Sequence, residues 1–373
     1  MQVVEWEISG KAIPYWIGHD CGDEISARLR AMDADRLVVV AEPGVWEMHE
    51  ASLREAGDLH VALLDAGEAN KTLASVERLA ERLIAEKITR RTVLVAMGGG
   101  VIGNITGLAA ALLFRGIRFV HIPTTLLAMH DSVTSLKQGV NCGGTKNILG
   151  TFHSPSAIYV DLKFLETLPE AHIRAGLAEL VKNALVLGGE YAESVGEAIA
   201  KLNGGANPEV WRRIVELGVA AKARLMRHDA HERGAALVLE YGHTIGHALE
   251  LAYLGELNHG ESVAWGMRCA AWVSQFMGLM NAEGMKKHER MVRWLGDLPR
   301  PGKWVDGAEI MSRVERDNKR GYLAVETNGG QNNWAAAMVL LREPGVVVKT
   351  GELPLTWAPA EAVRFALGEL ARA

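Results

Sequence analysis

Over the first 165 residues, short unbroken apolar runs alternate with longer segments whose apolar positions recur every three or four residues. "RLVVVAE" (36–42), "HVALLDA" (60–66), "TVLVAMG" (92–98) and "RFVHIPT" (118–124) read as strands buried on both faces, and "AIYVDL" (157–162) as one more. Between them, "TLASVERLAERLIAEK" has helical spacing. Continuous apolar strands alternating with helices predict a parallel sheet covered on both sides. Past about residue 165 the spacing is helical almost throughout, in "EAHIRAGLAELVKNALVL", "PEVWRRIVELGVAAKARLMRH", "HTIGHALELAYL" and "GESVAWGMRCAAWVSQFMGLM". Near the end, "TNGGQNN" (327–333) reads as a turn and "WAAAMVLL" as a strand. The pattern predicts an α/β domain over residues 1–165 and a mostly α-helical domain over 166–373.

Composition narrows the class. A chain of 373 residues is long enough for two such domains. With 49% hydrophobic and 23% charged residues the balance is that of a globular protein, not a disordered one. A formal net charge of -5 gives no reason to expect nucleic acid or an anionic membrane surface as a partner, so any basic cluster is local. Cys21, Cys142 and Cys269 form no CxxC pair and suit a reducing cytoplasm better than a disulfide framework. The opening "MQVVEWEISG" lacks the basic and apolar regions of a secretory leader, which also points to the cytoplasm. The most apolar stretch carries a glycine run and Asn104, and reads as a strand, loop and helix rather than a membrane span.

That stretch, "VAMGGGVIGNITGLAAALLF", holds the first chemical signal. Gly98, Gly100 and Gly103 satisfy GxGxxG, a loop whose backbone N–H groups can approach a pyrophosphate at a helix N-terminus. A tight turn closing strand onto helix is the plainer alternative. In the common dinucleotide fold the loop follows the first strand. Here it follows a later one, while the first strand ends in Glu42, which points to a different nucleotide-binding family.

The second signal is a donor set. His243 and His247, four apart, present both imidazoles to one side of a helix, and spacing alone makes both of them metal ligands. "LNHGES" adds His259 and "GLAELVKN" adds Glu179, giving the mixture of imidazole and carboxylate that suits zinc or cobalt. The acid of an HExxH protease is missing between the histidines. Lys137, Lys146, Lys182 and Lys222, with Asn147, stand beside these signals and suggest a phosphorylated substrate.

In order along the chain, "GGGVIGNITG", "FRGIRFVHIPTTLLA", "DSVTSLKQGVN", "KNILGTFHSP", "GLAELVKN", "EYGHTIGHALE" and "HGESVAWGM" resemble the motif string of the sugar phosphate cyclases, whose best known member is 3-dehydroquinate synthase. The resemblance runs from about residue 36 to about 325. It implies a Rossmann-like N-terminal α/β domain, a mostly α-helical C-terminal domain, bound NAD, one divalent metal (Co2+ or Zn2+) and a homodimer.

Details depart from dehydroquinate synthase. The loop at Asp131 reads DSVTSLKQG where that enzyme has DSSVGGKTG, Ala236 stands for a carboxylate-binding arginine, and Glu240 stands for an asparagine. Losing a cation and gaining an anion disfavours a carboxylated substrate and suits a neutral polyol. "SLKQ", "LEYGHT" and "DNKRGY" (317–322) are instead similar to the 2-deoxy-scyllo-inosose synthases, which cyclise glucose 6-phosphate for aminocyclitol antibiotics.

Carried over position by position, the resemblance implies metal ligation by Glu179, His243 and His259, with His247 moved to the phosphate side. Lys137 and Glu240 become proton handlers, with Asp131, Lys182 and His247 in the catalytic set. Lys146, Asn147 and Lys222 fall in the substrate pocket, and Arg115 reaches the neighbouring subunit's phosphate site. Glu42, Glu68, Lys71, Gly99, Gly100, Val101, Gly103, Asn104, Thr124, Thr125, Leu136, Lys137, Lys146 and Asn147 match NAD contacts. "CGGT" (142–145) matches no known wording. The implied chemistry is transient oxidation at C4, loss of phosphate, re-reduction and intramolecular aldol closure. Other sugar phosphate cyclases, a metal-dependent polyol dehydrogenase and a non-catalytic family member remain alternatives.

Overall fold

The computed structural model describes residues 1–373 apart from 5, 9, 10, 303–306, 318, 320 and 324–333. Contacts divide the chain into two compact units, Met1–Gly176 with Asn207–Ala223, and Leu177–Ala206 with Arg224–Ala373. The 327–333 turn lies outside the described residues.

The apolar runs of the first unit form its central sheet. Across it lie, in order, Gln2–Val4, Tyr15–Gly18, Ala157–Asp161, Arg118–Pro123, Val93–Gly98, Leu37–Ala41 and Leu59–Leu63. All neighbours are parallel except the first pair. Every residue of the strands Leu37–Ala41, Val93–Gly98 and Ala157–Asp161 is buried, which is why these strands read as unbroken apolar runs instead of alternating ones. On one face, Val38, Val40, Leu94, Ala96 and Phe119 share a core with Ile102, Ile105 and Leu108 of the helix Gly100–Leu112 and with Val76, Leu79 and Leu83 of Leu73–Ala85. This core seats the glycine-loop helix at the carboxyl end of its strand.

Several strands were not legible, among them Tyr15–Gly18 and both strands of one hairpin. Tyr15–Gly18 is only four residues long. The antiparallel hairpin of Lys137–Cys142 and Thr145–Phe152 is glycine-rich, and most of its second strand is exposed, so it shows no two-residue alternation. Its turn, Gly143–Gly144, has φ of +57° and +72°, a left-handed pair that glycine supplies at little cost. The unmatched "CGGT" is that turn.

In the second unit the helical segments appear as Glu170–Leu187, which begins in the first unit, His243–Ala252 and His259–Phe276. Pro208–Met226 lies largely in the segment that returns to the first unit. The predicted terminal strand is Trp334–Met338, paired antiparallel with Thr356–Pro359. No helix among the described residues is long and apolar enough to cross a membrane.

His243–Ala252 and His259–Phe276 cross at glycines. Gly242, at φ +79°, turns the chain into the first helix. A Cβ on Gly266 would stand 2.0 Å from the Gly242 carbonyl oxygen and 2.8 Å from the Gly246 nitrogen. Both obstacles are backbone, so neither can swing aside. Gly266→Ala is therefore expected to lower unfolding stability by about 1–3 kcal/mol or more, as overpacking does. A denaturation shift smaller than about 0.5 kcal/mol, the range of an indifferent surface change, would show that the helices do not meet this way.

Candidate active site

The donor group lies wholly in the second unit. Glu179, on Glu170–Leu187, is fully buried. Its Oε1 stands 3.4 Å from His243 Nε2 and 3.4 Å from His259 Nε2. The three ligand atoms lie within 4.8 Å of one another. One turn further along the helix, buried Lys182 holds the other oxygen, Oε2, as an ion pair. Burial pushes the Glu179 carboxyl up, but Lys182, with His243 and His259, outweighs it and holds the group well below the usual carboxylate range.

These residues fit a divalent cation. Glu179 Oε1 has no hydrogen-bond partner among the described residues although it is sealed from water. An orphaned buried carboxylate oxygen is costly, and a cation facing it removes the cost. The imidazoles are already turned the right way. His243 Nδ1 lies 3.1 Å from the Tyr241 carbonyl oxygen and His259 Nδ1 lies 2.9 Å from Glu250 Oε2. Both partners only accept, so Nδ1 of each ring carries a proton, and Nε2 is the nitrogen turned towards Glu179.

His247 stands beside this group and outside it, its ring 5.1 Å from that of His243 and 5.9 Å from that of His259. The spacing expectation that the two helical histidines pair as ligands does not describe the structure. Helical spacing fixes which side a ring faces, but not where the remaining donors enter.

Glu240 ends a short 3-10 turn, Ala235–Glu240, that leads into Gly242 and His243. Asp229 shapes that turn, because its carboxylate accepts the backbone N–H groups of Arg233, Gly234 and Ala236 at 2.8–2.9 Å. Ala236 is fully buried. Glu240 is not a bare anion. Its Oε2 lies 3.3 Å from Lys319 Nζ, which also meets Asp317 Oδ1 at 2.7 Å. Lys319 is 1% exposed. Burial alone would lower its pKa, but Asp317 and Glu240 raise it overall, so it stays an ammonium. Reasoning from sequence did not assign roles to Lys319, Asp317, Asp229 or Glu250, although "DNKRGY" and "HTIGHALE" contained three of them.

The first unit holds the glycine loop. Gly99 precedes the helix Gly100–Leu112 in an extended conformation, with no side-chain cap on the helix. Uncapped N–H groups at a helix start suit the phosphates of a dinucleotide. A Cβ on Gly99 would come within 3.3 Å of Thr125 Cγ2, and one on Gly103 within 3.1 Å of His121 Cε1, so backbone and neighbours close tightly here. Val101 is half-buried on this helix. Asn104 is engaged internally, donating to the Gly100 carbonyl and accepting from Gly139 N–H at 2.8 Å each, which ties the helix to the hairpin. Thr124 N–H donates to the Gly98 carbonyl, and the Thr125 hydroxyl caps the next short helix. Glu42 is half-buried at the end of its strand.

A second network joins the predicted Glu68, Lys71, Lys146 and Asn147. Lys146 Nζ lies 3.1 Å from Glu68 Oε1, and Lys71 Nζ donates to Asn147 Oδ1 at 2.5 Å. Asn141, which was not predicted, closes it by donating to Glu68 Oε1 and accepting from Asn147 N–H. Asn147 has φ of +52°, a left-handed setting that asparagine tolerates. Lys222 meets Asp131 Oδ1 at 3.0 Å. Lys137 is exposed at the start of the hairpin beside buried Leu136. Arg115 is exposed in the turn after the glycine-loop helix, with φ of +65°.

The 3-dehydroquinate synthase N-terminal family matches residues 61–175, and the 3-dehydroquinate synthase C-terminal family matches residues 176–320. The 2-deoxy-scyllo-inosose synthase of Streptomyces ribosidificus is 42% identical over 100% of this chain and 95% of its own length. A crystal structure of 2-deoxy-scyllo-inosose synthase complexed with carbaglucose-6-phosphate, NAD+ and Co2+ superimposes with a TM-score of 0.86 at 29% identity, covering 99% of this chain and 100% of that one. The 2-epi-5-epi-valiolone synthase of Streptomyces hygroscopicus subsp. jinggangensis, with NAD+ and Zn2+ bound, gives a TM-score of 0.80 at 26% identity over 100% of this chain and 98% of that one.

The buried ion cluster yields one prediction. Lys319→Met removes the buried ammonium that Asp317 and Glu240 share, a loss of about 3–5 kcal/mol for a broken buried pair. A urea-unfolding midpoint equal to the parent's would contradict the cluster.

Proposed function

The chain belongs to the 3-dehydroquinate synthase family, and from that premise we propose that it cyclises D-glucose 6-phosphate to 2-deoxy-scyllo-inosose with release of phosphate. It is an enzyme of the sugar phosphate cyclase class, a carbon–oxygen lyase acting on a phosphate ester. The observation that carries this reading is the convergence of Glu179, His243 and His259 in a chain that aligns end to end with inosose synthases. The product is the carbocycle from which aminocyclitol antibiotics are built.

The cofactors are NAD and one divalent metal, Co2+ or Zn2+, as in the complexes of the structural relatives. Bound NAD supplies a reversible hydride acceptor, and the metal supplies Lewis-acid polarisation of a sugar hydroxyl. Glu179, His243 and His259 hold the metal. Lys182 pins the free oxygen of Glu179, so the carboxylate keeps one face towards the site. Glu240, steadied by Lys319 and by the Asp229-bound turn, accepts hydrogen bonds from sugar hydroxyls and handles a proton, with Lys137 as its counterpart. Lys146, Asn147, Lys222 and His247 favour the departing phosphate, and Asp131 fixes the ammonium of Lys222. The glycine loop, Thr124, Thr125, Glu42, Glu68, Lys71 and Leu136 receive the dinucleotide. The net change is glucose 6-phosphate minus phosphoric acid, so hydride removed in one step is returned in another and no reduced cofactor accumulates.

Substrate choice rests on Ala236 and Glu240. An alanine offers no cation to a carboxylate, and Glu240 brings an anion, paired with Lys319, where the dehydroquinate synthases have a neutral asparagine. This disfavours a carboxylated seven-carbon substrate and suits a neutral hexose.

The protein works as a homodimer in which Arg115 serves the partner's phosphate site. Support comes from exposed apolar side chains around that turn. Leu112 and Phe114 flank it, and Ile148, Leu149 and Phe152 line the outer hairpin strand. His153 Nε2 meets the Ile117 carbonyl at 3.0 Å and ties the two segments together. Exposed apolar groups gathered like this mark association surfaces. Location in the cytoplasm is part of the same reading, from the three free cysteines.

Purified protein with glucose 6-phosphate, NAD and Co2+ should release one phosphate per inosose formed with no lasting rise in reduced cofactor. Stoichiometric NADH would make it a dehydrogenase. Glu240→Asn should lower turnover by about 100-fold or more, as loss of a positioned acid–base group does, while metal content and NAD affinity hold. Turnover equal to the parent would remove the role given to Glu240. His259→Ala should lose bound metal on dialysis, and full occupancy by elemental analysis would overturn the ligand set.

A further inference from the structure

A neutral imidazole can ligate a cation through Nε2 only if the proton sits on Nδ1 and something accepts it there. The two histidines of this site solve that problem differently. His243 uses a backbone carbonyl, that of Tyr241, which any sequence would provide. His259 uses the side chain of Glu250, with Oε2 2.9 Å from Nδ1. Glu250 is two helical turns beyond His243 and 3% exposed. A carboxylate is expensive to bury, and this one is aimed at the imidazole of a proposed ligand.

The Gly242, Gly246 and Gly266 crossing makes the contact possible, because it brings the helix that carries Glu250 against the helix that starts at His259. Asn258, just before His259, caps that helix reciprocally with Glu261 and so fixes where the imidazole leaves the backbone. Position comes from the cap, and ring plane and tautomer come from Glu250. The acid adds charge as well. Its carboxylate stands 2.9 Å from the ring of a proposed ligand of a dication.

We propose that Glu250 is a positioning residue of the metal centre: it holds the His259 ring in the Nε2-donor tautomer, sets its plane, and strengthens retention of the divalent ion. The proposal rests on the reading of Glu179, His243 and His259 as ligands. Outer partners of this kind are worth about 10–100-fold in metal affinity.

The test compares the parent with Glu250→Gln, which keeps the volume but removes the charge, and with Glu250→Ala. Affinity for Co2+ is measured by competition with a chelator, and the visible absorption of bound Co2+ reports ligand geometry without any turnover. Expected are about 10-fold weaker binding in Glu250→Gln, up to about 100-fold in Glu250→Ala, and a changed Co2+ spectrum in both. Glu250→Asp should restore part of the affinity. Should Glu250→Ala fail to fold, the near-isosteric Glu250→Gln decides alone. Parent-like affinity in Glu250→Gln overturns the proposal and leaves the ligand set standing. Weaker binding with an unchanged spectrum also overturns it, because the ring would then not have moved. A parent protein that takes up no Co2+ overturns the metal centre itself, and this inference with it.

Discussion

A carboxylate sealed away from water must be met by opposite charge, and in this protein that requirement falls on Glu179. Lys182 answers it for one oxygen from the next turn of the same helix. The other oxygen is left facing two imidazole nitrogens, with no hydrogen-bond partner among the described residues. A buried pair completed on one side only would be a poor stabilising device. As one side of a cation site it is well matched, because the carboxylate is kept ionised and oriented before any ion arrives. The second unit's other features follow from supplying the two imidazoles at that point.

Supplying them requires close helices. Gly242, Gly246 and Gly266 let backbone approach backbone where His243–Ala252 and His259–Phe276 cross, so the histidines at their starts converge. Rotation of each ring is then fixed from behind, by the Tyr241 carbonyl and by Glu250. A similar economy governs the Glu240 region. Asp229 binds three backbone N–H groups to hold the turn, and Lys319 ties its end to Asp317. Glu240 is thus carried on a short turn that backbone hydrogen bonds and a buried ion pair hold in place.

Much of this was legible in the sequence and some was not, for reasons that differ by element. Strands such as Leu37–Ala41 and Val93–Gly98 are buried on both faces, so they announce themselves as apolar runs. The hairpin Lys137–Phe152 carries several candidate residues yet has no regular two-residue period, because most of its second strand is exposed. The return of 207–223 to the first unit has no signature either, since a helix looks the same whichever core it serves. Spacing along one helix paired His243 with His247, whereas Glu179, His243 and His259 are brought together by tertiary packing that no local spacing encodes. Only the ordered motif string supplied that set. Glu250 and Lys319 lay inside quoted motifs but gave no signal alone, because a single acid or lysine is usually a solvated surface residue. Burial is what marks them, and burial is a property of the fold.

The claim on which the rest depends is that Glu179, His243 and His259 together bind one divalent ion. X-ray absorption at the metal edge of zinc-loaded protein tests it most directly. Only nitrogen and oxygen donors at about 2.0–2.2 Å are expected, with the outer-sphere pattern of two imidazoles. A sulfur donor near 2.3 Å, or an imidazole count other than two, would contradict the claim.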